Sequence, residues 1–250
     1  MRIFVSKLLS GKGLGEKRLV RKTMEFLIRV LNPIKVLGHR MYLNPKDDSL
    51  GLFTKGSYEL PVVDILEKHI KKGDVVLDIG ANIGYHTLIM ARLVGRTGKV
   101  FAFEPDPINA EYLLKNAKLN GYQNIAIIQK GVSNKTGQGR LYQGNSSSLH
   151  TIWDQGKMRY KEIEIITIDD YLAGQKADFA KIDVEGAEAL AVEGMKGTVK
   201  SNPDIKMIIE FQPEMLKAAG SSPEKFLAGL EDAGFRPTQI DNKNWFFQKK

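Results

Sequence analysis

The feature that most constrains the fold is a regular alternation of short apolar runs and amphipathic helical patterns from about residue 58 onward. Apolar runs bounded by Gly, Pro or Asn indicate buried strands, whereas apolar residues repeating every 3.6 positions indicate helices. The predicted strands are 74–79, 99–103, 124–129, 177–182, 204–210, 235–240 and 245–248, and the predicted helices are 61–71, 84–94, 107–119, 186–199 and 223–233. Such alternation predicts an α/β protein: a Rossmann-like, doubly wound, mostly parallel seven-stranded sheet with a C-terminal antiparallel hairpin.

The pattern is weaker between the third and fourth predicted strands. Strand-like pieces occur at 140–143 and 162–167. The segment Gly131–Ser148 is rich in Gly, Ser and Asn, a composition typical of loops. We therefore predict a mobile lid at this segment.

The N-terminal segment differs in charge from the rest of the chain. Residues 1–40 contain ten Lys or Arg and two acidic residues, which accounts for the whole net charge of +8. Within 17–31, apolar residues recur at helical spacing and basic residues take the other side. We predict a basic amphipathic helix, packed on the main domain or touching an anionic membrane surface. The predicted division is a basic segment at 1–40 and an α/β domain at 41–250.

Composition excludes several classes of protein. The chain has no Cys, so disulfides, thiolate metal sites and Cys nucleophiles are excluded. No stretch reaches the roughly 18 apolar residues of a membrane span, and Lys7 and Lys12 interrupt any signal peptide. Acids balance bases beyond residue 40, which argues against a nucleic-acid partner. A cytoplasmic location is expected, with the inner membrane face as the alternative; oligomeric state has no sequence signal.

The strongest local motif is a strand, a glycine-containing turn and a helix at 75–84, VVLDIGANIG. Gly80 lets the turn bring backbone close to a ligand, and Gly84 lets the helix pack closely. Doubly wound folds bind ligands at the carboxyl ends of such strands. The motif therefore predicts a ligand site beyond the first strand.

The residues around this turn indicate a nucleoside rather than a dinucleotide. Asn82 and Tyr85 stand where the second and third glycines of a dinucleotide motif are needed. Asp78 would repel a pyrophosphate but suits a ligand with an ammonium group. Glu104, at the end of the next strand, is positioned to accept hydrogen bonds from ribose hydroxyls.

With these motifs the chain resembles the FkbM-type family of class I S-adenosylmethionine-dependent methyltransferases. The resemblance covers about Gly56–Gln212 and includes DVVLDIGANIGYHTLIMARLVGRTGKVFAFEPDP, LLKNAKLNG, IIQKGVSN, TIDDYL, FAKIDVEGAEALAVEGMKG and IIEFQP. It implies S-adenosylmethionine as the cofactor and O-methylation of a small molecule or glycan. Residues 55–59 match the family's lead-in and would close over the cofactor.

The resemblance also implies which residues contact the cofactor. The glycine turn would line the methionine part, Asp78 its amino group, Glu104 the ribose, and residues 105–106 and 132–133 the adenine. The complete implied set is Tyr58, Glu59, Asp78, Gly80, Ala81, Asn82, Gly84, Thr87, Glu104, Pro105, Asp106, Val132, Ser133 and Asp183.

A second cluster, at 181–188, follows the predicted strand 177–182 and is rich in acids. Its acids could orient the cofactor or the acceptor, remove a proton from an acceptor hydroxyl, or cap the next helix, where Glu185 is the candidate. The candidate catalytic residues are Asp183, Glu185, Glu210 and His150; His86 is a weaker candidate base. No metal is predicted, and a divalent cation at Asp183 and Glu210 is the less favoured alternative.

The predicted function is O-methylation of a sugar, glycan or secondary metabolite by direct in-line transfer, in which positioning supplies much of the rate. Methylation of RNA or protein is one alternative, although the acids at 183–188 would repel phosphates. A noncatalytic S-adenosylmethionine-binding protein and a dehydrogenase are the others. The missing second glycine of the turn argues against the dehydrogenase.

Overall fold

The computed structural model describes residues 18–45, 50–144, 150–153, 156 and 158–249. Its helices are α1 Arg18–Leu31, α2 Leu50–Lys55, α3 Leu60–His69, α4 Tyr85–Val94, α5 Pro107–Leu119, α6 Ile168–Leu172, α7 Glu188–Glu193, α8 Lys196–Ser201, α9 Pro213–Ala218 and α10 Pro223–Asp232. Its strands are β1 Ile34–Val36, β2 His39–Met41, β3 Val75–Ile79, β4 Lys99–Phe103, β5 Ile125–Ile128, β6 Gly131–Val132, β7 Gly137–Tyr142, β8 Tyr160–Ile166, β9 Phe179–Ile182, β10 Lys206–Glu210, β11 Phe235–Gln239 and β12 Asn244–Lys249.

The central sheet has seven strands in the order β11-β12-β10-β9-β3-β4-β5. Strands β3, β4, β5, β9 and β10 pair in parallel, whereas β12 runs antiparallel to both β10 and β11. The fold is thus a Rossmann-like α/β sheet with a C-terminal antiparallel hairpin, and the predicted fold class is confirmed. The chain enters the sheet at β3 and extends it first to one side and then to the other, which places a switch point between β3 and β9.

Two large apolar clusters cover the two faces of this sheet. Alternate side chains of a strand point to opposite faces. In β3, Val76 accordingly belongs to the cluster formed with α3 and α4, whereas Leu77 belongs to the cluster formed with α6, α7 and α10. Because both faces are covered, β3 is fully buried except at its first residue, and its sequence is an apolar run that only Asp78 interrupts.

Helix α1 packs on the main domain through one side. Ile28 is 2% exposed and shares an apolar cluster with Ile34 and Met41 of the short β1–β2 hairpin. The Asn32 side chain also exchanges hydrogen bonds of 2.7 and 3.0 Å with the backbone of Leu43. The domain division at residue 40 stays a prediction. None of the helices in the described part of the chain is both long and apolar enough to cross a membrane.

The prediction of a single helix over 186–199 is wrong, because α7 and α8 are separate. A Cβ at Gly194 would lie 2.0 Å from the Ser133 carbonyl oxygen, so only glycine permits this close approach at the end of α7. The Gly197 amide donates to Asp169 Oδ2 at 2.8 Å instead of continuing the first helix. Contacts distant in sequence therefore override the local helical pattern.

The predicted loop at Gly131–Ser148 is also wrong over much of its length. Strands β6 and β7 occupy it and pair with β8 in a separate three-stranded sheet. A Cβ at Gly139 would lie 2.7 Å from Ile165 Cγ2, so glycine serves close packing within a strand rather than a loop here. Residues 145–148 of the predicted lid lie outside the described residues.

Candidate active site

A cleft with a cavity volume of about 280 Å³ opens at the carboxyl ends of β3, β4 and β9. The switch point of the sheet lies there, because β3 has β4 on one side and β9 on the other. Many of the predicted site residues line this cleft: Tyr58, Asp78, Gly80, Ala81, Asn82, Glu104, Pro105, Val132, His150, Asp183 and Glu185.

Six other predicted site residues do not line the cleft and instead contact the elements around it: Glu59, Gly84, Thr87, Asp106, Ser133 and Glu210. Thr87 Oγ1 donates a 2.5 Å hydrogen bond to Asp78 Oδ2. A Cβ at Gly84 would lie 2.4 Å from Leu113 Cδ1, so this glycine seats α4 against α5. The Ser133 amide donates to the Ile166 carbonyl and extends the β6–β8 pairing.

The turn after β3 presses directly against the end of β9. Gly80 has a φ of +86°, and a Cβ there would lie only 1.8 Å from the Asp183 carbonyl oxygen. Any side chain would therefore push the two strand ends apart. Asn82, two residues on, also adopts a left-handed conformation with a φ of 48°. The turn thus presents its backbone to the cleft.

The Glu104 carboxylate fastens this turn to the start of α5. Its Oε2 accepts from the Asn82 amide at 2.8 Å, and its Oε1 accepts from the Asp106 amide at 2.9 Å. Burial of the side chain raises the pKa of Glu104 to about 7, against the opposing effect of these hydrogen bonds. Glu104 therefore shapes the cleft wall in addition to facing the cleft.

Asp78, beside the turn, has one buried carboxylate oxygen that accepts no hydrogen bond from the described residues. Its side chain is 1% exposed, and no group in the described part of the chain hydrogen-bonds its Oδ1. Burial raises the pKa of Asp78, while the positive charge of Lys181 acts in the opposite direction. A buried carboxylate oxygen without a donor suits a ligand that brings one, such as an ammonium group.

Three carboxylates meet on the other side of the cleft. Oxygen atoms of Asp183, Glu185 and Glu210 lie within 4.8 Å of one another. Two lysines compensate this charge: Lys181 Nζ lies 2.8 Å from Asp183 Oδ2, and Lys243 Nζ lies 2.6 Å from Glu210 Oε1. The prediction that no metal binds here stays a prediction.

Lys243 joins three separate parts of the chain, and sequence reasoning missed it. It lies in the turn between β11 and β12, and its Nζ is also 2.9 Å from Glu59 Oε1 and 3.3 Å from the Tyr58 hydroxyl. A lysine in a polar turn gives no local signal. Lys181 did give one, because a charge inside the buried strand β9 requires a partner.

The two lysines separate the acidities of the three acids. Burial alone would raise the pKa of Asp183, but the charge of Lys181, hydrogen bonds with Glu210 and Lys181, and the charge of Lys243 together hold that pKa well below its usual range. Burial and the Asp183 charge raise the pKa of Glu185 to about 8 and that of Glu210 to about 9. At neutral pH Asp183 is therefore ionised, while Glu185 is close to its titration range.

Glu185 does not cap the following helix, contrary to the sequence-based prediction. It adopts a left-handed conformation with a φ of 52°, and its carbonyl accepts a 2.9 Å hydrogen bond from Trp153 Nε1. The acid that accepts backbone hydrogen bonds here is Glu188, whose Oε1 accepts from the amides of Val184 and Gly186 in the turn before α7 at 3.1 and 3.0 Å. The Glu185 side chain is thereby left to line the cleft.

The two candidate histidines each approach an acid other than Asp183, Glu185 and Glu210. His150 Nδ1 is 3.7 Å from Asp106 Oδ2, which also accepts from Lys161 Nζ at 3.1 Å. His86 Nε2 is 3.8 Å from Glu59 Oε2, and burial followed by the charge of Lys181 lowers the pKa of His86 well below its usual value. His150 thus contacts an acid beyond β4 rather than those beyond β9 and β10.

Comparison with known protein families identifies the family of the chain. The methyltransferase FkbM domain matches residues 78–237, well over half of the chain and nearly the whole cleft. The chain belongs to the FkbM methyltransferase family. The predicted family is thus confirmed, and the matched region is a methyltransferase domain of the type that takes S-adenosylmethionine as its cofactor.

Relatives of this FkbM methyltransferase cover only part of it. It is 27% identical over 145 residues to the hexuronic acid methyltransferase AglP of Haloferax volcanii, which spans 57% of this chain and 59% of AglP. It is 39% identical over 59 residues to a protein-L-isoaspartate O-methyltransferase of Ignicoccus hospitalis, 24% of this chain and 28% of that protein. The chain therefore spans less than two thirds of these curated relatives.

Among solved structures, the FkbM methyltransferase is similar to a protein provisionally assigned as an rRNA methylase of Clostridium thermocellum. The TM-score is 0.50 at 13% sequence identity, covering 76% of this chain and 94% of that one. At this identity the similarity concerns the fold alone.

Two features of the cleft fit S-adenosylmethionine as its ligand. The free Oδ1 of Asp78 can accept from the ammonium group of the cofactor's methionine part. The turn at Gly80, which has no room for a side chain, exposes backbone at the place where that part would lie.

Proposed function

We propose that this FkbM methyltransferase methylates an oxygen atom of a sugar or glycan acceptor. The observation that carries this proposal is the position of Glu185. This acid lines the same cleft as the Gly80 turn and has a pKa raised to about 8, near the range a general base needs at physiological pH. The name of AglP supports an acceptor of the sugar class.

The cofactor half of the cleft would be formed by residues that follow β3 and β4. In the proposal, Asp78 holds the ammonium group, the backbone at Gly80 and Asn82 follows the methionine part, and Glu104 accepts from the ribose hydroxyls. Val132 and Pro105 would border the adenine. When bound, S-adenosylmethionine supplies an electrophilic methyl group on its sulfonium centre.

Among the acids of the cleft, Glu185 is the best suited to take a proton from an acceptor hydroxyl. The ion pair of Asp183 with Lys181 stabilises its ionised form, which makes Asp183 a weak base. One oxygen of Glu210 is engaged by Lys243, and its side chain is 2% exposed. Glu185 has neither restriction, so Asp183 and Glu210 are assigned to fixing the charges around it.

The pH dependence of turnover distinguishes a hydroxyl acceptor from a carboxylate acceptor. A sugar hydroxyl benefits from a base because its own pKa is high, whereas a carboxylate acceptor such as that of a hexuronic acid needs none. Turnover on a hydroxyl acceptor should therefore require ionised Glu185, while turnover on a carboxylate should not depend on it.

The proposal is tested by incubating the protein with methyl-labelled S-adenosylmethionine and a defined acceptor panel. The panel contains neutral hexoses, 6-deoxyhexoses, hexuronic acids and their nucleotide-linked forms, together with an rRNA fragment and an isoaspartyl peptide. We expect label on a sugar oxygen, located by mass spectrometry. Label only on RNA or peptide would overturn the acceptor class.

Cofactor binding is measured separately so that the two failures can be distinguished. Calorimetric titration with S-adenosylhomocysteine should give micromolar affinity, and titration with NAD should give none. Binding without transfer to any member of the panel would contradict a sugar methyltransferase while leaving the cofactor site intact.

A further inference from the structure

Helix α1 carries a second apolar strip on the side away from the domain. Ile28 is buried in the core, and Leu27 packs against the same cluster. Phe26 and Val30, in contrast, are 64% and 61% exposed. Because they are four residues apart in a helix, they lie next to each other on one face. The domain packing of α1 therefore leaves an exposed pair of large apolar side chains.

Basic residues flank this pair. Lys22 precedes Phe26 by one helical turn, and Arg29 adjoins Val30; both are exposed. The segment around them, residues 1–40, carries the whole net positive charge of the chain, whereas residues beyond 40 are balanced. The net positive charge of the chain thus lies in the same segment as this exposed apolar pair.

We propose that the face formed by Lys22, Phe26, Arg29 and Val30 binds the surface of an anionic lipid bilayer. A helix that lies in a membrane interface combines apolar side chains, which enter the acyl boundary, with basic side chains, which meet anionic headgroups. The α1 face supplies both in adjacent positions. Its domain side stays packed through Ile28, so the domain would be held against the membrane without unfolding.

A lipid surface fits this face better than a nucleic acid. Phosphates attract Lys and Arg, but single-stranded nucleic acids are held by aromatic stacking, to which an aliphatic Val30 adds nothing. The balanced charge of the remaining 210 residues also provides no extended basic track. The inference does not depend on the identity of the methyl acceptor.

The test is flotation of the full chain with vesicles of phosphatidylcholine alone or mixed with phosphatidylglycerol. We expect binding to the mixed vesicles and a loss of about tenfold or more on raising salt, because headgroup attraction is screened. The double variant Phe26→Ser/Val30→Ser should lose binding at all salt concentrations. Lys22→Gln/Arg29→Gln should weaken binding about tenfold or more and flatten the salt dependence.

Matched controls alter exposed apolar and exposed basic side chains elsewhere in the chain. Ile108→Ser/Leu114→Ser removes two exposed apolar side chains of α5, and Lys118→Gln/Lys200→Gln removes two exposed lysines. Both controls should bind vesicles like the wild type, and every variant should keep its affinity for S-adenosylhomocysteine. Equal binding to both vesicle types, no flotation, or unchanged binding of the Phe26→Ser/Val30→Ser variant would overturn the proposal. Salt-sensitive binding to an RNA oligonucleotide without flotation would overturn it in favour of nucleic acid.

Discussion

The two halves of the cleft are built in different ways. The half beyond β3 and β4 is held by backbone: a glycine turn against the Asp183 carbonyl, and Glu104 fastened by two amides. The half beyond β9 and β10 is held by side-chain ion pairs, with Lys181 and Lys243 set among the acids. Backbone contacts fix a shape, whereas paired charges fix acidities, and a transfer site needs both.

This difference also separates the roles of the acids. In the ion-paired half the pKa of Asp183 is lowered, while those of Glu185 and Glu210 are raised to about 8 and about 9. Titratable groups whose environments push their pKa values apart are typical of sites where protons are moved. Substitutions in the two halves should therefore have different effects. Those in the backbone-held half should change the shape of the cleft, and those in the ion-paired half should change the charges in it.

The largest effect is expected where the two halves touch. Gly80→Ala places a Cβ 1.8 Å from the Asp183 carbonyl oxygen at a φ of +86°. Overpacking together with backbone strain should cost about 3 kcal/mol or more of unfolding free energy and abolish S-adenosylhomocysteine binding. Thermal unfolding and calorimetry measure the two losses.

The matched control is Gly174→Ala. Gly174 has a nearly identical φ of +88°, but a Cβ there would meet nothing within 4 Å. It should cost only the conformational strain, about 1–2 kcal/mol, and keep ligand affinity. Equal losses in the two variants would mean that strain, and not the contact between the halves, explains the effect.

The next largest effect tests the charged half alone. Glu185→Gln should lower turnover on the sugar acceptor by about 10²–10⁴-fold, the usual contribution of a general base, and keep S-adenosylhomocysteine affinity. Wild-type turnover should rise as the pH passes through about 8 and level off above it, because only ionised Glu185 accepts a proton, and the variant should lack this rise. Glu193→Gln, at an exposed acid in α7, should behave like the wild type. A pH rise that survives in Glu185→Gln would place the base elsewhere.

The same contrast explains what the sequence could predict. The turn half depends on residues close together in the chain: Gly80 and Glu104 follow adjacent strands, and their residue types alone indicate a nucleoside site. The succession of strands and helices along the chain is likewise carried by alternating local patterns, and the fold class was predictable for that reason.

The charged half was predictable only in part. Asp183, Glu185 and Glu210 follow strands that the apolar pattern locates, so their proximity could be expected. Their acidities depend on Lys243, which comes from a turn 33 residues after Glu210 and has no pattern of its own. The break between α7 and α8 has a similar cause, because Gly194 packs against Ser133, far away in sequence.

Removing Lys243 tests how much its ion pairs contribute to the free energy of unfolding through the charged half of the cleft. Lys243→Ala leaves Glu210 and Glu59 without their lysine and should lower the unfolding free energy by about 2–4 kcal/mol, as when one partner of a buried pair is deleted. The double variant Lys243→Ala/Glu59→Gln should regain part of this loss, since no unpaired charge remains at position 59. Chemical denaturation measures both, and Lys217→Ala, which breaks an exposed pair with Glu214, should cost under about 1 kcal/mol. A double variant no more stable than the single one would show that Glu59 is not the group that needs Lys243.

The smallest effect is expected from the backbone-held half. Glu104→Ala should weaken S-adenosylhomocysteine binding by about 1–3 kcal/mol, the cost of losing hydrogen bonds to a charged group. Burial raises the pKa of Glu104 to about 7, and the ionised carboxylate is the better acceptor for ribose hydroxyls. Wild-type affinity should therefore increase as pH rises through 7, and the variant should lose this increase. Glu111→Ala, at an exposed acid of α5, should keep both the affinity and its pH dependence. If Glu104→Ala lowered stability but left affinity and its pH dependence unchanged, Glu104 would act only as the fastener of the turn, and shape alone would define this half of the cleft.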